Sequence, residues 1–111
     1  MKFEVRKAGD VTRLILNGSL SGKELSGIGD TIKREIDNSA SSKIIIDLSN
    51  VSMIDSAVIG FLIIIYKTVT LRRGTIAFIN PNASVKNTLH NLGLTRVFKL
   101  YESEDAAIKA I

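Results

Sequence analysis

The sequence predicts an α/β domain built on a mixed, mostly parallel sheet. Short aliphatic runs typical of buried strands alternate with longer amphipathic segments typical of helices. The first two strand-like segments follow each other directly, which favours an opening antiparallel hairpin. The predicted order is ββαβαβαβα, with about five strands and about four helices. Because the chain has 111 residues, we expect one domain over residues 1–111.

The first half of the chain contains four of these elements. "KFEV" and "VTRLILNG" predict two strands joined through "KAGD". "GKELSGIGDTIKREIDN" predicts a helix, because Leu25, Ile28, Ile32 and Ile36 follow spacings of three and four. "KIIIDLS" is a continuous apolar run, as in strands covered on both faces. "SAVIGFLIIIYKTVTLRR" is too long for a strand and predicts a second helix ending near Arg73.

The second half of the chain continues the alternation. "TIAFIN" predicts a buried strand, and "NPNASVKNTLHNLG" predicts a helix that stops at Gly93. Val85, Leu89 and Leu92 are expected on the core face of that helix. "RVFKLY" predicts a short strand, and "SEDAAIKAI" a last helix with Ser103 as its N-cap.

Composition and charge narrow the possible functions. The chain contains no cysteine, and its most apolar run, Ala57 to Tyr66, is half of the ~20 residues that span a bilayer. No signal peptide opens the sequence, so we expect a cytoplasmic protein without membrane insertion. The net charge of +4 comes from scattered lysines and arginines rather than from a basic stripe. Nucleic-acid binding is therefore not expected.

Residues for catalysis are also missing from the pattern. The single histidine, His90, stands in a polar stretch without a nearby carboxylate and is interpreted as a surface residue. "GSLSGKE" has three residues between its glycines where a phosphate-binding loop has four, and Glu24 replaces the magnesium-binding hydroxyl. We therefore expect no enzyme, no catalytic residue, no metal and no cofactor.

The stretch "DLSNVSMIDSAVIG" holds the most informative residues. A helical wheel of the segment after Asp55 separates a core face from a face toward water. The core face carries Val58, Phe61, Leu62, Ile65 and Val69. The opposite face carries Ser56, Gly60, Ile63, Lys67 and Thr70, with Ile64 at its margin.

Two interpretations of Asp55 and Ser56 remain open on residue chemistry. One is structural, with either residue capping the free N–H groups at the helix start. The other is that Ser56 is a phosphorylation site. A helix N-terminus tolerates the added charge of roughly −1.5 to −2, but the phosphate would place a dianion on an apolar contact surface.

Three segments carry a family resemblance: "NGSL", "IIIDLSNVSMIDSAVIGFLI" and "VKNTLHNLGLTRVFKLYESEDAAIKAI". With them, nearly the whole chain resembles the STAS domain family, specifically the stand-alone bacterial anti-sigma factor antagonists. The resemblance implies a protein that binds an anti-sigma factor, often a serine kinase, and so releases a sigma factor. Phosphorylation at Ser56 by that kinase would end the binding, and a PP2C-type phosphatase would restore it.

The resemblance also implies a partner-binding surface at the start of the second helix and the nearby loop from Gly18 to Ser21. The chain departs from the common family pattern at Val58 and Ile59, where Gly-Leu is usual, and at Ser21, where aspartate is frequent. Val58 is expected to point into the core. The implied partner-binding residues are Asp55, Ser56, Ala57, Ile59, Gly60, Ile63, Ile64, Lys67, Gly18, Ser19 and Ser21.

A second function is compatible with the same resemblance. Stand-alone members of the family also serve as non-switching scaffolds of stress-signalling complexes or as accessory subunits of transporter ATPases. A serine at position 56 favours the switched antagonist.

Overall fold

A five-stranded sheet organises the described part of the chain. The structure is a computed structural model that describes residues 2–38 and 42–111, with the side chains of Lys2, Ser19 and Leu20 outside the described part. Strands lie in the order β1-β2-β3-β4-β5, with β1 antiparallel to β2 and the other neighbours parallel. The predicted fold class and element order are confirmed. The strands are β1 (Lys2–Ala8), β2 (Val11–Leu20), β3 (Lys43–Ile54), β4 (Thr75–Ile79) and β5 (Leu100–Tyr101).

Helices cover both faces of this sheet. On one face, α1, α2 and α3 pack on an aliphatic core that includes Ile32, Ile46, Leu62 and Leu89, each 0% exposed. On the other face, α4 packs Ala107 against a smaller cluster around Ile45. This two-sided cover explains why β4 and residues 44–46 of β3 are almost continuously apolar. The helices are α1 (Gly22–Asn38), α2 (Ser56–Leu71), α3 (Ala83–Asn91) and α4 (Glu104–Ala110).

Two elements differ in length from the prediction. Strand β3 continues past the apolar run to Ile54, because its last residues pair with the end of β2 as far as Leu20. The last strand is only Leu100–Tyr101, because the chain before it forms a 3₁₀ helix, Leu94–Arg96. That turn buries Phe98, whose ring stacks on Phe78 with centroids 4.5 Å apart.

One predicted core residue is exposed. Val85 and Leu89 are fully buried as expected, but Leu92 is 59% exposed. The helix ends at Asn91, and Leu92 is its C-cap, so its side chain no longer follows the helical register. Gly93 then takes a left-handed conformation with φ of 75°, which confirms the predicted stop signal.

Candidate functional site

The sheet brings two helix starts together at one edge. Strands β2 and β3 are parallel, and Leu20 pairs with Ile54 at their carboxyl ends. Ser21 and Asp55 therefore follow the ends of neighbouring strands and lead directly into α1 and α2. The end of β2 with Ser21 therefore lies beside the Asp55-Ser56 pair, although the two segments are far apart in sequence.

Asp55 caps both helices with a single carboxylate. Oδ1 accepts a hydrogen bond from the Val58 N–H of α2 at 3.0 Å, and Oδ2 accepts one from the Gly22 N–H of α1 at 2.8 Å. Its extended backbone, with φ of −106° and ψ of 179°, is typical of an N-cap. The cap that the sequence left open between two residues therefore belongs to Asp55.

These bonds also determine the charge of the site. The hydrogen bond from Val58, followed by that from Gly22, lowers the pKa of Asp55 below its ordinary value. Both donors favour the carboxylate over the neutral acid. Asp55 is thus an anion at neutral pH, one residue before Ser56.

Ser56 is the first residue of α2, and its side chain is exposed. Because Asp55 supplies the cap, the Ser56 hydroxyl makes no hydrogen bond to any residue in ranges 2–38 and 42–111. An exposed hydroxyl without an internal partner is accessible to an enzyme that transfers a phosphoryl group. Helix α2 holds it at a fixed place on the surface.

The outer face of α2 continues from Ser56 as an exposed stripe. Ala57 and Lys67 are exposed, Gly60 is half-buried, and Ile64 is 47% exposed. A Cβ added at Gly60 would meet no atom within 4 Å, so the helix backbone is open there to close approach. This arrangement exposes a surface that is apolar at its centre and basic at Lys67. We call Ser56, Ala57, Gly60, Ile64 and Lys67 the α2 stripe.

Two residues of this helix that were predicted to bind a partner are less exposed than the α2 stripe. Ile63 is half-buried and packs against the core. Ile59 is only 7% exposed, because it lies three residues before Leu62 at the edge of the core face. The Ile59 side chain therefore belongs to the core and is not available on the predicted partner-binding surface.

The predicted loop from Gly18 to Ser21 is mostly strand, because β2 pairs with β3 as far as Leu20 and only Ser21 lies between β2 and α1. Gly18 is exposed and has φ of 100°, a conformation that favours glycine. Ser21 caps α1, with its Oγ 3.4 Å from the Glu24 N–H and its carbonyl oxygen 3.0 Å from the Leu25 N–H. The side chain of Ser19 lies outside the described residues.

Sequence reasoning missed the role of Gly22. A Cβ at this position would lie 2.8 Å from the Ala57 Cβ, so the two helix starts are in direct contact. Beyond this contact a groove opens between α1 and α2. The only signal for this role in the sequence is a glycine at the start of a predicted helix. The groove is lined by Leu25, Gly29, Lys33, Ala57 and Phe61.

A second polar cluster lies on the opposite face of the sheet. The buried Asp47 carboxylate accepts hydrogen bonds from the Arg13 guanidinium, one of them 3.1 Å from Nε, and from the Ser49 N–H and hydroxyl. Arg13 also pairs with Glu104 of α4 at 2.7 Å. Burial alone would raise the pKa of Asp47, but the bonds from Ser49 and Arg13 outweigh it and lower that pKa. All these groups are paired, so the cluster is structural.

Across ranges 2–38 and 42–111 no three His, Asp or Glu side chains lie close enough together to hold a metal ion. None of the helices found there has the length and apolar character that crossing a bilayer requires.

The chain is similar to known proteins over nearly its whole length. The model of the STAS domain family matches residues 2–107. A Thermotoga maritima protein, provisionally named an anti-sigma factor antagonist, is 28% identical over 109 residues, which are 98% of this chain and 96% of the relative. The crystal structure of a Thermotoga maritima protein with the same provisional name superposes with a TM-score of 0.91, covering 98% of this chain and 93% of its own at 28% identity.

Two more distant structures share the fold. An anti-sigma factor antagonist of Mycobacterium paratuberculosis is 19% identical, with a TM-score of 0.89 over 99% of this chain and 92% of its own. The Bacillus cell fate determinant SpoIIAA in its phosphorylated form is also 19% identical, with a TM-score of 0.74 over 99% and 100%. At 19% identity, these similarities show a shared fold and nothing further.

Proposed function

The chain belongs to the STAS domain family, and from that premise we propose that it is an anti-sigma factor antagonist switched off by phosphorylation of Ser56. In its unmodified form it would bind an anti-sigma factor and so release a sigma factor. The single observation that carries the proposal is the division of roles between two adjacent residues. Asp55 caps the helices, and Ser56 presents an exposed hydroxyl without a partner among the described residues.

Physical chemistry explains how phosphorylation would control binding. A phosphate adds roughly −1.5 to −2 charge, and the first turn of a helix accommodates such charge. The fold would therefore survive the modification. The α2 stripe begins at Ser56, however, so the dianion would stand at the edge of the surface that a partner must cover. Desolvating it there would oppose binding.

The kind of partner is inferred from similar proteins. The Thermotoga maritima relative is provisionally an anti-sigma factor antagonist, and SpoIIAA of the same fold has been solved in unphosphorylated and phosphorylated forms. We infer that the partner here is an anti-sigma factor that is also a serine kinase. A PP2C-type phosphatase would reverse the modification.

The family departures are compatible with this role. Val58 is 1% exposed and Ile59 7%, so both side chains lie in the core and do not change the surface of α2. Ser21 uses its hydroxyl to cap α1, which is a role an aspartate can also take. The surface available to a partner is therefore defined by other residues.

The test is to recover the protein from the cells that encode it and to map its phosphopeptides with and without phosphatase treatment. We expect one phosphate on Ser56. Tagged Ser56→Ala should retain an anti-sigma factor, identified by mass spectrometry, whereas Ser56→Asp should lose it because the added charge disrupts the surface.

The matched control is Ser84→Asp. Ser84 is an exposed serine in the first turn of α3, two residues after the N-cap Asn82, so the substitution adds the same charge to the first turn of a different helix. It should leave partner capture unchanged. Unphosphorylated Ser56 under all growth conditions, with equal capture by both Ser56 variants, would instead identify a non-switching scaffold or a transporter subunit.

A further inference from the structure

Asp55 joins the starts of α1 and α2, and this joint lies directly beside the proposed phosphorylation site. We propose that Asp55 is the positioning residue of the switch. Phosphorylation of Ser56 displaces its carboxylate from Gly22 and so releases the first turn of α1. The inference rests on the proposed function. Phosphorylation would then have two effects, a negative charge on α2 and a loosened first turn of α1.

Asp55 supplies the shorter of the two side-chain capping bonds at the first turn of α1. Ser21 Oγ lies 3.4 Å from the Glu24 N–H, near the limit for a hydrogen bond. The Gly22 N–H has a much shorter bond, 2.8 Å, to Asp55 Oδ2. The better bond at this helix end is therefore supplied by the residue next to Ser56.

The remainder of α1 is held independently of Asp55. Ile32 is 0% exposed in the core, and the Arg72 guanidinium donates to the Ile36 carbonyl oxygen at 2.8 Å at the other end of the helix. Lys33 Nζ lies 5.9 Å from the centre of the Phe61 ring of α2. Loss of the Asp55 bond would consequently loosen the first turn and leave the rest of the helix in place.

A phosphate on Ser56 acts on Asp55 in two ways. Its oxygens compete for the N–H groups at the start of α2, which include the Val58 N–H that Asp55 now binds. Its negative charge also repels the adjacent carboxylate. Both effects move the carboxylate away from its present position, and the Gly22 N–H then loses its acceptor.

The consequence for binding follows from where α1 begins. The end of β2 leads through Ser21 into this turn, and the contact of Gly22 with Ala57 sets its position relative to the α2 stripe. Releasing the turn separates the two halves of the proposed partner surface. Phosphorylation would then change the relative position of the two halves of the surface and also add negative charge to it.

Amide–solvent exchange measured by NMR tests this directly, on protein with phosphoserine encoded at position 56 so that no kinase is needed. We expect the Gly22 amide to exchange about tenfold faster than in the unmodified protein, since a lost capping bond has about that effect on an equilibrium. The amides near Ile36 should be unchanged. Unaltered exchange at Gly22 in the phosphorylated protein would overturn the inference.

Asp55→Asn separates the two capping roles. The asparagine oxygen can still accept from Val58, but its NH₂ group cannot accept from Gly22. The variant should therefore show the same fast Gly22 exchange without phosphate. Adding phosphoserine to Asp55→Asn should give no further increase, whereas two additive increases would show that phosphate and Asp55 act separately and would contradict the inference.

Two glycine variants provide a matched pair. Gly22→Ala forces the helix starts apart, because its Cβ would meet Ala57 at 2.8 Å, and should reproduce the fast exchange of the first turn. Gly27→Ala lies on the same helix, and its Cβ would meet no atom within 4 Å, so exchange at Gly22 should remain slow.

Partner capture is measured separately, so the inference can fail while the proposed function holds.

Discussion

At the residue scale, two aspartates hold this protein together by different means. Asp55 is exposed and accepts two backbone N–H bonds at helix starts. Asp47 is 1% exposed and depends on Arg13 and Ser49, which supply bonds that offset the cost of burying its charge. Asp55 fixes two helix starts at the surface, and Asp47 forms a buried ion pair in the interior.

Replacing Asp47 tests the buried pair. Asp47→Asn removes the charge that faces Arg13 in the interior, and we expect the free energy of unfolding to fall by about 3 kcal/mol. Urea denaturation followed by circular dichroism measures the change. Asp10→Asn is the control, because Asp10 is exposed and pairs with Lys43 only at 3.6 Å, so its loss should change stability by less than about 1 kcal/mol.

At the element scale, α2 has two faces with different functions. Val58, Leu62 and Val69 are at most 1% exposed and support the sheet. Ile64 is 47% exposed on the opposite side, where it contributes to the α2 stripe. The helix is apolar nearly all round because both faces make contacts, one with the core and one, as we propose, with a partner.

Paired alanine substitutions separate the two faces. Leu62→Ala should lower the free energy of unfolding by about 3 kcal/mol, because it leaves a cavity in the core. Ile64→Ala should change stability by about 0.5 kcal/mol or less but should weaken capture of the anti-sigma factor. Equal capture by Ile64→Ala and the unmodified protein would exclude Ile64 from the partner surface.

At the scale of the whole molecule, ionised aspartates connect separate parts of the fold. Asp55 links α1 to α2, and Asp47 links β3 through Arg13 to Glu104 of α4. Both aspartates have a lowered pKa in the folded state. Each therefore stabilises the fold fully above the ordinary aspartate pKa of about 3.9, and this stability is lost as pH falls through the lower folded pKa.

The pH profile of stability should show this dependence. Between pH 7 and 5 we expect these two groups to contribute a constant stability, followed by a decline below about pH 4. Denaturant midpoints measured from pH 7 to pH 2.5 record the profile. In Asp47→Asn the decline should be shallower, because one of the two groups no longer titrates, and an equal slope in both proteins would contradict this account.

The sequence predicted the larger elements because their signals are local. Helix α1 begins at Gly22 and ends at Asn38 as the spacing of its isoleucines indicated, and Ser103 caps α4. Errors occurred where tertiary contacts decide. Strand β3 is extended by pairing with β2, and Phe98 enters the core through a turn that replaces most of the last predicted strand.

By itself the sequence determined the α/β class, the order of the elements and the Asp55-Ser56 pair at the start of α2, because periodicity and capping chemistry depend on neighbouring residues. Only the structure decided that Asp55 is the cap of α2, that its second oxygen binds Gly22, and that Ile59 is buried. Of these, the bond to Gly22 depends on the parallel pairing of β2 with β3, which brings residues 22 and 55 together. Contacts between residues so distant in sequence follow from the sheet and leave no local pattern.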